Sequence, residues 1–232
     1  MLMKKIIIMA FSVALQLVSV TNFLHATEKH KITLNKGVLV TKDHTLLIPI
    51  KSVIPTIVTD LKYATHDNFT HKKVYEVDSC YARKEVVTAL ANVQKELMEK
   101  GLGLKIWDAY RPWQAQCKFW ELVPDENYVS DPRKGGRHTK GTALDVTLID
   151  IKTGKEVAMP TEFDDFSEKA HHTSMNFTDT ILTNRSLLKE TMERHGFESL
   201  TTEWWHYDYK GWQNLPVIDL TLSDLDAHYK KS

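Results

Sequence analysis

The stretch GRHTKGTALDV, residues 136–146, decides how this chain is read. Its ending, Ala143-Leu144-Asp145-Val146, alternates as a half-buried strand does. Yet it sets an aspartate beside the apolar Val146 and a histidine seven positions before that aspartate. Glycines and threonines surround the two polar groups where a packed strand would carry bulky side chains. A carboxylate and an imidazole in such surroundings need a reason other than packing.

Working outward, helices and strands interleave without a regular strand-helix rhythm. Val86, Val87, Leu90, Val93, Leu97 and Met98 recur at helical spacing over residues 83–100, and Gly101 supplies the stop. LGLKIWDAY, residues 102–110, alternates as a strand, and Pro112 suits the first turn of a helix reaching about Leu122. Residues 141–148 form the next strand, with a turn at Thr153-Gly154. Asn184 is a candidate cap for a helix that carries Leu187, Leu188 and Met192 and closes at His195-Gly196. EWWHYDY, residues 203–209, reads as a final aromatic strand. This pattern predicts an α+β fold, with helices packed on a mainly antiparallel sheet.

The chain has 232 residues, 42% of them hydrophobic, enough for one good-sized core and hence a single domain. Residues 1–26 read as a signal peptide: Lys4-Lys5, an apolar run over residues 6–20, and Ala26 as the cleavage position. That run of about 15 residues is short of the roughly 20 a spanning helix needs, so an uncleaved anchor is the lesser reading. Residues 27–45 form an arm, 46–215 the domain and 216–232 a C-terminal tail.

Removing residues 1–26 takes two lysines and no acid, leaving 28 basic and 30 acidic residues, a net charge near −2. That balance argues against nucleic acid and against a membrane surface as partners. A small or zwitterionic partner fits better. Export would permit one bridge between Cys80 and Cys117, the two cysteines present, and the sequence leaves that pairing open.

A catalytic zinc site takes three protein ligands and leaves a fourth position for water. His138 and Asp145 supply two, with Gly141 allowing the sharp backbone course between them. His206 in the aromatic strand is the natural third. Glu203, three residues earlier, can act as the base that moves a proton. In a regular strand, positions three apart face opposite sides, so both can reach one site only if the strand is locally irregular there. Taken singly, His138 reads as a surface or capping residue, Asp145 as a turn former, His206 as a core histidine and Glu203 as a surface acid. Only their combination points to a metal. Arg111, between a strand end and a helix-starting proline, is either aimed into a cleft or held in a salt bridge.

The ordered segments DLKYATHDNFT (60–70), IWDAYRP (106–112), HTKGTALDVTL (138–148), FDDF (163–166) and EWWHYDY (203–209) closely resemble the D-alanyl-D-alanine dipeptidases, zinc peptidases known from vancomycin resistance. They are more distantly similar to the zinc D,D-carboxypeptidases. The resemblance covers roughly residues 47–209. Its most specific part is His-x-x-Gly-x-Ala-x-Asp followed by Glu-x-x-His.

The resemblance implies one zinc held by His138, Asp145 and His206, Glu203 as catalytic base, and Arg111 stabilising the tetrahedral intermediate. It also implies that Tyr63 and Asp164 hold the substrate's ammonium group. Where the family has serines before the histidine, implicated in holding the terminal carboxylate, this chain has Gly136 and Arg137, so that role passes to a backbone N–H or a guanidinium. Lys140 reads as a solvated cation.

The function expected is hydrolysis of D-alanyl-D-alanine to two D-alanines by an exported enzyme, periplasmic or extracellular, in wall turnover or dipeptide use. The alternatives are a D,D-carboxypeptidase or endopeptidase acting on wall stem peptides, and a zinc-binding module without turnover.

Overall fold

The computed structural model describes residues 33–35 and 38–231. The first half runs β1 (Thr33–Asn35), β2 (Val38–Thr41), β3 (Leu47–Pro49), α1 (Ile50–Val53), β4 (Val58–Thr59), β5 (Tyr81–Arg83), α2 (Lys84–Met98) and β6 (Leu102–Asp108). There follow α3 (Trp113–Leu122), β7 (Ala143–Asp150), α4 (Asp179–Arg194), β8 (Phe197–Ser199), β9 (His206–Tyr209), β10 (Val217–Ile218) and α5 (Leu222–Tyr229).

A five-stranded sheet in the order β4-β6-β7-β9-β8 forms the centre, and only the β4–β6 pair is parallel. The expected α+β class with a mainly antiparallel sheet is therefore observed. Helix α2 buries Val86, Val87, Leu90, Val93 and Leu97 against this sheet, as their spacing requires, and Gly101 follows at φ +74. Helix α4 adds Leu188 and Met192 to the same core.

Two irregularities place the chemistry. The register of β6 on β7 shifts between Ile106 and Asp108, so Asp108 faces Asp145 across the pair. The chain also turns at residues 200–205, where Glu203 N donates to the Leu200 carbonyl and His206 N to the Glu203 carbonyl. Strand β9 thus begins at His206, and the irregularity required to bring Glu203 and His206 together is present.

Several expectations change. The segment read as a tail belongs to the domain: β10 pairs in parallel with β2, and Leu220, Leu222 and Leu225 are buried in a second core with Tyr63, Tyr110 and Phe119. The Tyr110 hydroxyl lies 2.7 Å from the carbonyls of both Ile218 and Leu220. The arm contributes β1 and β2 to that small sheet, while residues 27–32 and the signal segment 1–26 lie outside the described residues.

Asn184 is no cap. Helix α4 starts five residues earlier, at Asp179, and the Asn184 amide donates to the Ala158 carbonyl. Cys80 and Cys117 are free thiols. Among the described residues no helix is long and apolar enough to cross a membrane.

Candidate active site

The stretch 136–146 folds as a tight turn followed by a strand. His138–Lys140 form one 3-10 turn, and Gly141 ends it at φ +71, a conformation that L side chains rarely adopt. A Cβ at Gly141 would lie 2.5 Å from Leu47 Cδ2, so position 141 is glycine for two independent reasons. The turn is clamped by Arg83, whose backbone N–H donates to the Gly141 carbonyl and whose Nε donates to the Lys140 carbonyl. Lys140 is buried, with Nζ 2.9 Å from the Gln213 carbonyl, and so is not the solvated cation expected.

Strand pairing then assembles the candidate ligands. Asp145 on β7 sits directly opposite His206 on β9, which makes them cross-strand neighbours. His138 swings over from the turn. Its Nε2 lies 3.3 Å from Asp145 Oδ2 and 3.2 Å from His206 Nδ1, while His206 Nδ1 is 2.9 Å from Asp145 Oδ1. One donor atom from each residue falls within 4.8 Å of the others, and all three residues are buried.

The outer hydrogen bonds say what this cluster is for. His138 Nδ1 faces the Ala109 carbonyl at 2.7 Å, an acceptor only, so it must carry the proton and leave Nε2 as a lone pair. His206 Nε2 faces Asp208 Oδ1 at 3.0 Å, which by the same reasoning leaves Nδ1 as a lone pair. Two imidazole lone pairs and a carboxylate thus converge with no hydrogen between them. Such a cluster requires a positive charge at its centre. A proton or a metal ion can supply that charge: burial opposes charge on His206, but Asp208 and Asp145 outweigh it and push the group up to about 10, so a bound metal must displace a proton from Nδ1. Two imidazoles and one carboxylate are the donor set of a catalytic zinc site with an open position.

Glu203 lies beside this cluster, its Oε2 3.8 Å from His206 Nδ1. Burial raises its carboxyl to about 8, helped by Asp145 and opposed by His206 and Arg111. A carboxyl poised near neutrality can both accept and return a proton.

Arg111 is fixed from both sides. Its Nε and Nη2 donate to Asp108 Oδ2 at 3.0 and 2.8 Å, and Nη1 donates to Gln116. Nη2 also stands 3.8 Å from Asp145 Oδ2, so the guanidinium separates two carboxylates that strand pairing sets face to face. The salt-bridge reading and the cleft reading of Arg111 are both realised. Tyr75 completes the arrangement by donating its hydroxyl to Asp108 Oδ1 at 2.7 Å.

Tyr63 and Asp164 meet as well, the phenol oxygen 3.1 Å from both carboxylate oxygens. Asp164 holds the left-handed backbone at φ 59, an uncommon conformation for a residue with a Cβ. Removal from water and the neighbouring Asp145 push its carboxyl well above the usual range, against the pull of Arg111.

The three candidate ligands, Glu203, Arg111, Tyr63, Asp164 and Arg137 all line one pocket. Gly136 is buried and does not join that lining; its carbonyl accepts from the Thr139 hydroxyl. Two residues that sequence reasoning passed over brace the site, Asp108 behind Arg111 and Asp208 behind His206. Each left a signal: Asp108 stands three before Arg111 at a strand end, and Asp208 two after His206 on the same strand face.

Comparison with known proteins agrees with this geometry. Residues 43–224 match the peptidase M15 family, described as D-ala-D-ala dipeptidase. A D-alanyl-D-alanine dipeptidase of Escherichia coli is 36% identical over 176 residues, covering 76% of this chain and 91% of the relative. Proteins of the same name from Enterococcus faecalis and Streptomyces coelicolor are 37% and 32% identical, covering 64% and 69% of this chain and 83% and 90% of the relatives. With the family match extending over most of the described fold and including every residue of the pocket, the chain belongs to the peptidase M15 family of D-alanyl-D-alanine dipeptidases.

Proposed function

We propose that this protein is a zinc peptidase that hydrolyses D-alanyl-D-alanine to two molecules of D-alanine. The observation that carries the reading is the single pocket in which three inward lone pairs, a carboxyl near neutrality and a buried guanidinium stand together, with a second carboxylate beside them. His138, Asp145 and His206 would hold the zinc, which supplies Lewis-acid polarisation of a carbonyl and activation of water.

The chain's own groups perform the rest. Glu203 takes the proton of the attacking water and returns it to the departing amine. Arg111, held rigid by Asp108 and Gln116, offers its remaining N–H groups to the oxygen that gains charge at the scissile carbonyl. Asp164 and Tyr63 receive the ammonium group. A longer wall peptide would place a neutral amide where that carboxylate waits, and this favours a free dipeptide over a stem peptide.

Residues 1–26 support export, so the dipeptide would be met outside the cytoplasm, from wall turnover or as a nutrient. Mass spectrometry of the exported protein is expected to find a new amino terminus near Thr27. A cytoplasmic protein that retains residue 1 overturns this part.

The activity is tested by supplying purified protein and zinc with D,D-, L,D- and L,L-dipeptides and one wall pentapeptide, then assaying free amino acids. Release of D-alanine from the D,D-dipeptide is expected. Preferential cleavage of the pentapeptide would transfer the assignment to a carboxypeptidase.

A further inference from the structure

We propose that Arg137 and Asp208 form a brace that reads the terminal carboxylate of the substrate and ties that contact to the metal ligand His206; this rests on the dipeptidase reading above. Asp208 is buried on β9, paired on one side with Ala143 of β7 and on the other with Glu198 of β8, so its backbone is held across the middle of the sheet. Its two carboxylate oxygens serve two partners. Oδ1 lies 3.0 Å from His206 Nε2, and Oδ2 lies 3.2 Å from Arg137 Nε.

Each partner is oriented by this arrangement. Because a carboxylate only accepts, His206 must donate from Nε2 and turn the Nδ1 lone pair toward Asp145 and His138. Arg137 pairs with Asp208 through Nε, and its guanidinium carbon lies 5.4 Å from the centre of the Trp212 ring, which steadies its plane. Among the described residues nothing hydrogen-bonds its two Nη atoms, and the side chain remains 29% exposed where it lines the pocket.

Arg111 differs in this respect. Its Nε and both Nη atoms each spend one N–H on Asp108 or Gln116, which leaves one N–H on each Nη and no nitrogen wholly free. Of the two arginines in the pocket wall, Arg137 alone presents a free planar edge of paired N–H donors, the geometry that suits a carboxylate. A zwitterionic dipeptide brings one carboxylate and one ammonium. Asp164 answers the second, and Arg137 answers the first. Seating the carboxylate on the Nη edge pulls on a guanidinium whose other side is anchored, through Asp208, to His206. Arg137 is then a specificity-determining residue, and Asp208 a positioning residue that acts through its two neighbours.

The test compares D-alanyl-D-alanine with its C-terminal amide in the native protein, Arg137→Met, Arg137→Lys and Asp208→Asn, alongside competition for zinc by a chelator. The native protein is expected to prefer the free acid by about 10-fold to 100-fold in kcat/KM, the range of a charge-assisted hydrogen bond. Arg137→Met is expected to erase that preference with zinc held as in the native protein. Arg137→Lys, which keeps the charge without the fork, is expected to restore part of it, and this comparison decides the matter if the methionine variant does not fold.

Asp208→Asn keeps the shape but can accept from only one of its two partners. It is expected to weaken zinc binding by about 10-fold to 100-fold, the usual cost of losing an outer partner of a ligating histidine, and to reduce the preference for the free acid. A merely structural role would lower stability and leave the acid-to-amide ratio where it was.

An unchanged ratio in both Arg137 variants, or native zinc affinity in Asp208→Asn, overturns the brace. If the native protein cleaves neither substrate, the dipeptidase reading and the Arg137 half fall together, while chelator competition still decides the Asp208 half.

Discussion

Replacing Asp164 by asparagine removes the group able to carry a negative charge beside a docked ammonium, and almost no volume, so it isolates what that carboxyl contributes to substrate recognition. In the structure the Tyr63 hydroxyl has a single proton to give and lies equally far, 3.1 Å, from both carboxylate oxygens. Most of the acceptor capacity of Asp164 is therefore unspent. Its carboxyl is also pushed well above the usual range by burial and by Asp145, against the pull of Arg111, and an ammonium docked beside it would favour the charged form.

A charge-assisted hydrogen bond of this kind contributes about 1.5–3 kcal/mol, which corresponds to roughly 10-fold to 150-fold in kcat/KM. Native protein is expected to cleave free D-alanyl-D-alanine better than its N-acetyl derivative by at least that factor, because acetylation removes the charge and adds bulk. In Asp164→Asn the rate on the free dipeptide falls by a similar factor, the rate on the acetylated one changes little, and the gap narrows. The assay is kcat/KM for both substrates in both proteins. Equal cleavage of the two substrates by native protein, or an unchanged gap in the variant, would refute the assignment of Asp164 to the ammonium group.

Other perturbations follow from the same contacts. Arg111→Ala is expected to retain zinc while losing about 10²-fold to 10³-fold in turnover. It also strands Asp108, which is fully buried, at a cost of about 3–5 kcal/mol in denaturant unfolding, whereas adding Asp108→Asn recovers stability without activity. Parallel loss of zinc and activity in Arg111→Ala would mean that the arginine only holds the fold. Gly141→Ala must place a Cβ 2.5 Å from Leu47 Cδ2 at positive φ, and a loss of about 2–4 kcal/mol is expected, partly relieved by Leu47→Ala; a native melting temperature in the single variant contradicts this. Burial, with Arg185 and Lys189 nearby, holds His172 down at about 4 against an ordinary value of 6.5. The unfolded chain therefore binds the extra proton first as pH falls, and the contribution of His172, complete above about pH 6.5, is lost as pH drops toward 4. Unfolding measured across that window in native protein and His172→Gln is expected to show a shallower slope in the variant, and identical slopes contradict it.

What the sequence disclosed and what it concealed divide along physical lines. Helix α2 was legible because it buries one face, so burial writes its period directly into the residues, whereas β6 and β7 are covered on both faces and were legible as short apolar segments bounded by glycine, proline and turn residues. The convergence of His138, Asp145 and His206 was legible because a metal site demands rare residue types at constrained places, and the resemblance to a known family pointed to the same positions. The conflict between strand geometry and the Glu203–His206 spacing foretold the turn at residues 200–205. Asp108 and Asp208 were harder to see, since an acid that braces another side chain is indistinguishable in composition from one on the surface. Lys140 misled for a related reason: its partners are the backbone carbonyls of Trp212 and Gln213, and carbonyls have no sequence signature. The C-terminal segment was read as a tail because it is short and partly polar, while the contacts that bury it come from residues more than a hundred positions away.

Those distant contacts also set the order in which the enzyme can be completed. Tyr110, next to Arg111, is tied to the carbonyls of Ile218 and Leu220, and Arg83, which clamps the His138 turn, donates Nη2 to the carbonyl of Pro216. A nascent chain that has emerged as far as Tyr209 already carries the three candidate ligands and Glu203. It lacks the stitches that hold the arginine and the histidine turn in place. Such long loops close late, because their entropy must be spent before their contacts form. Competence for catalysis therefore waits until residues 216–220 have joined the fold, although every residue of the pocket has been made before them.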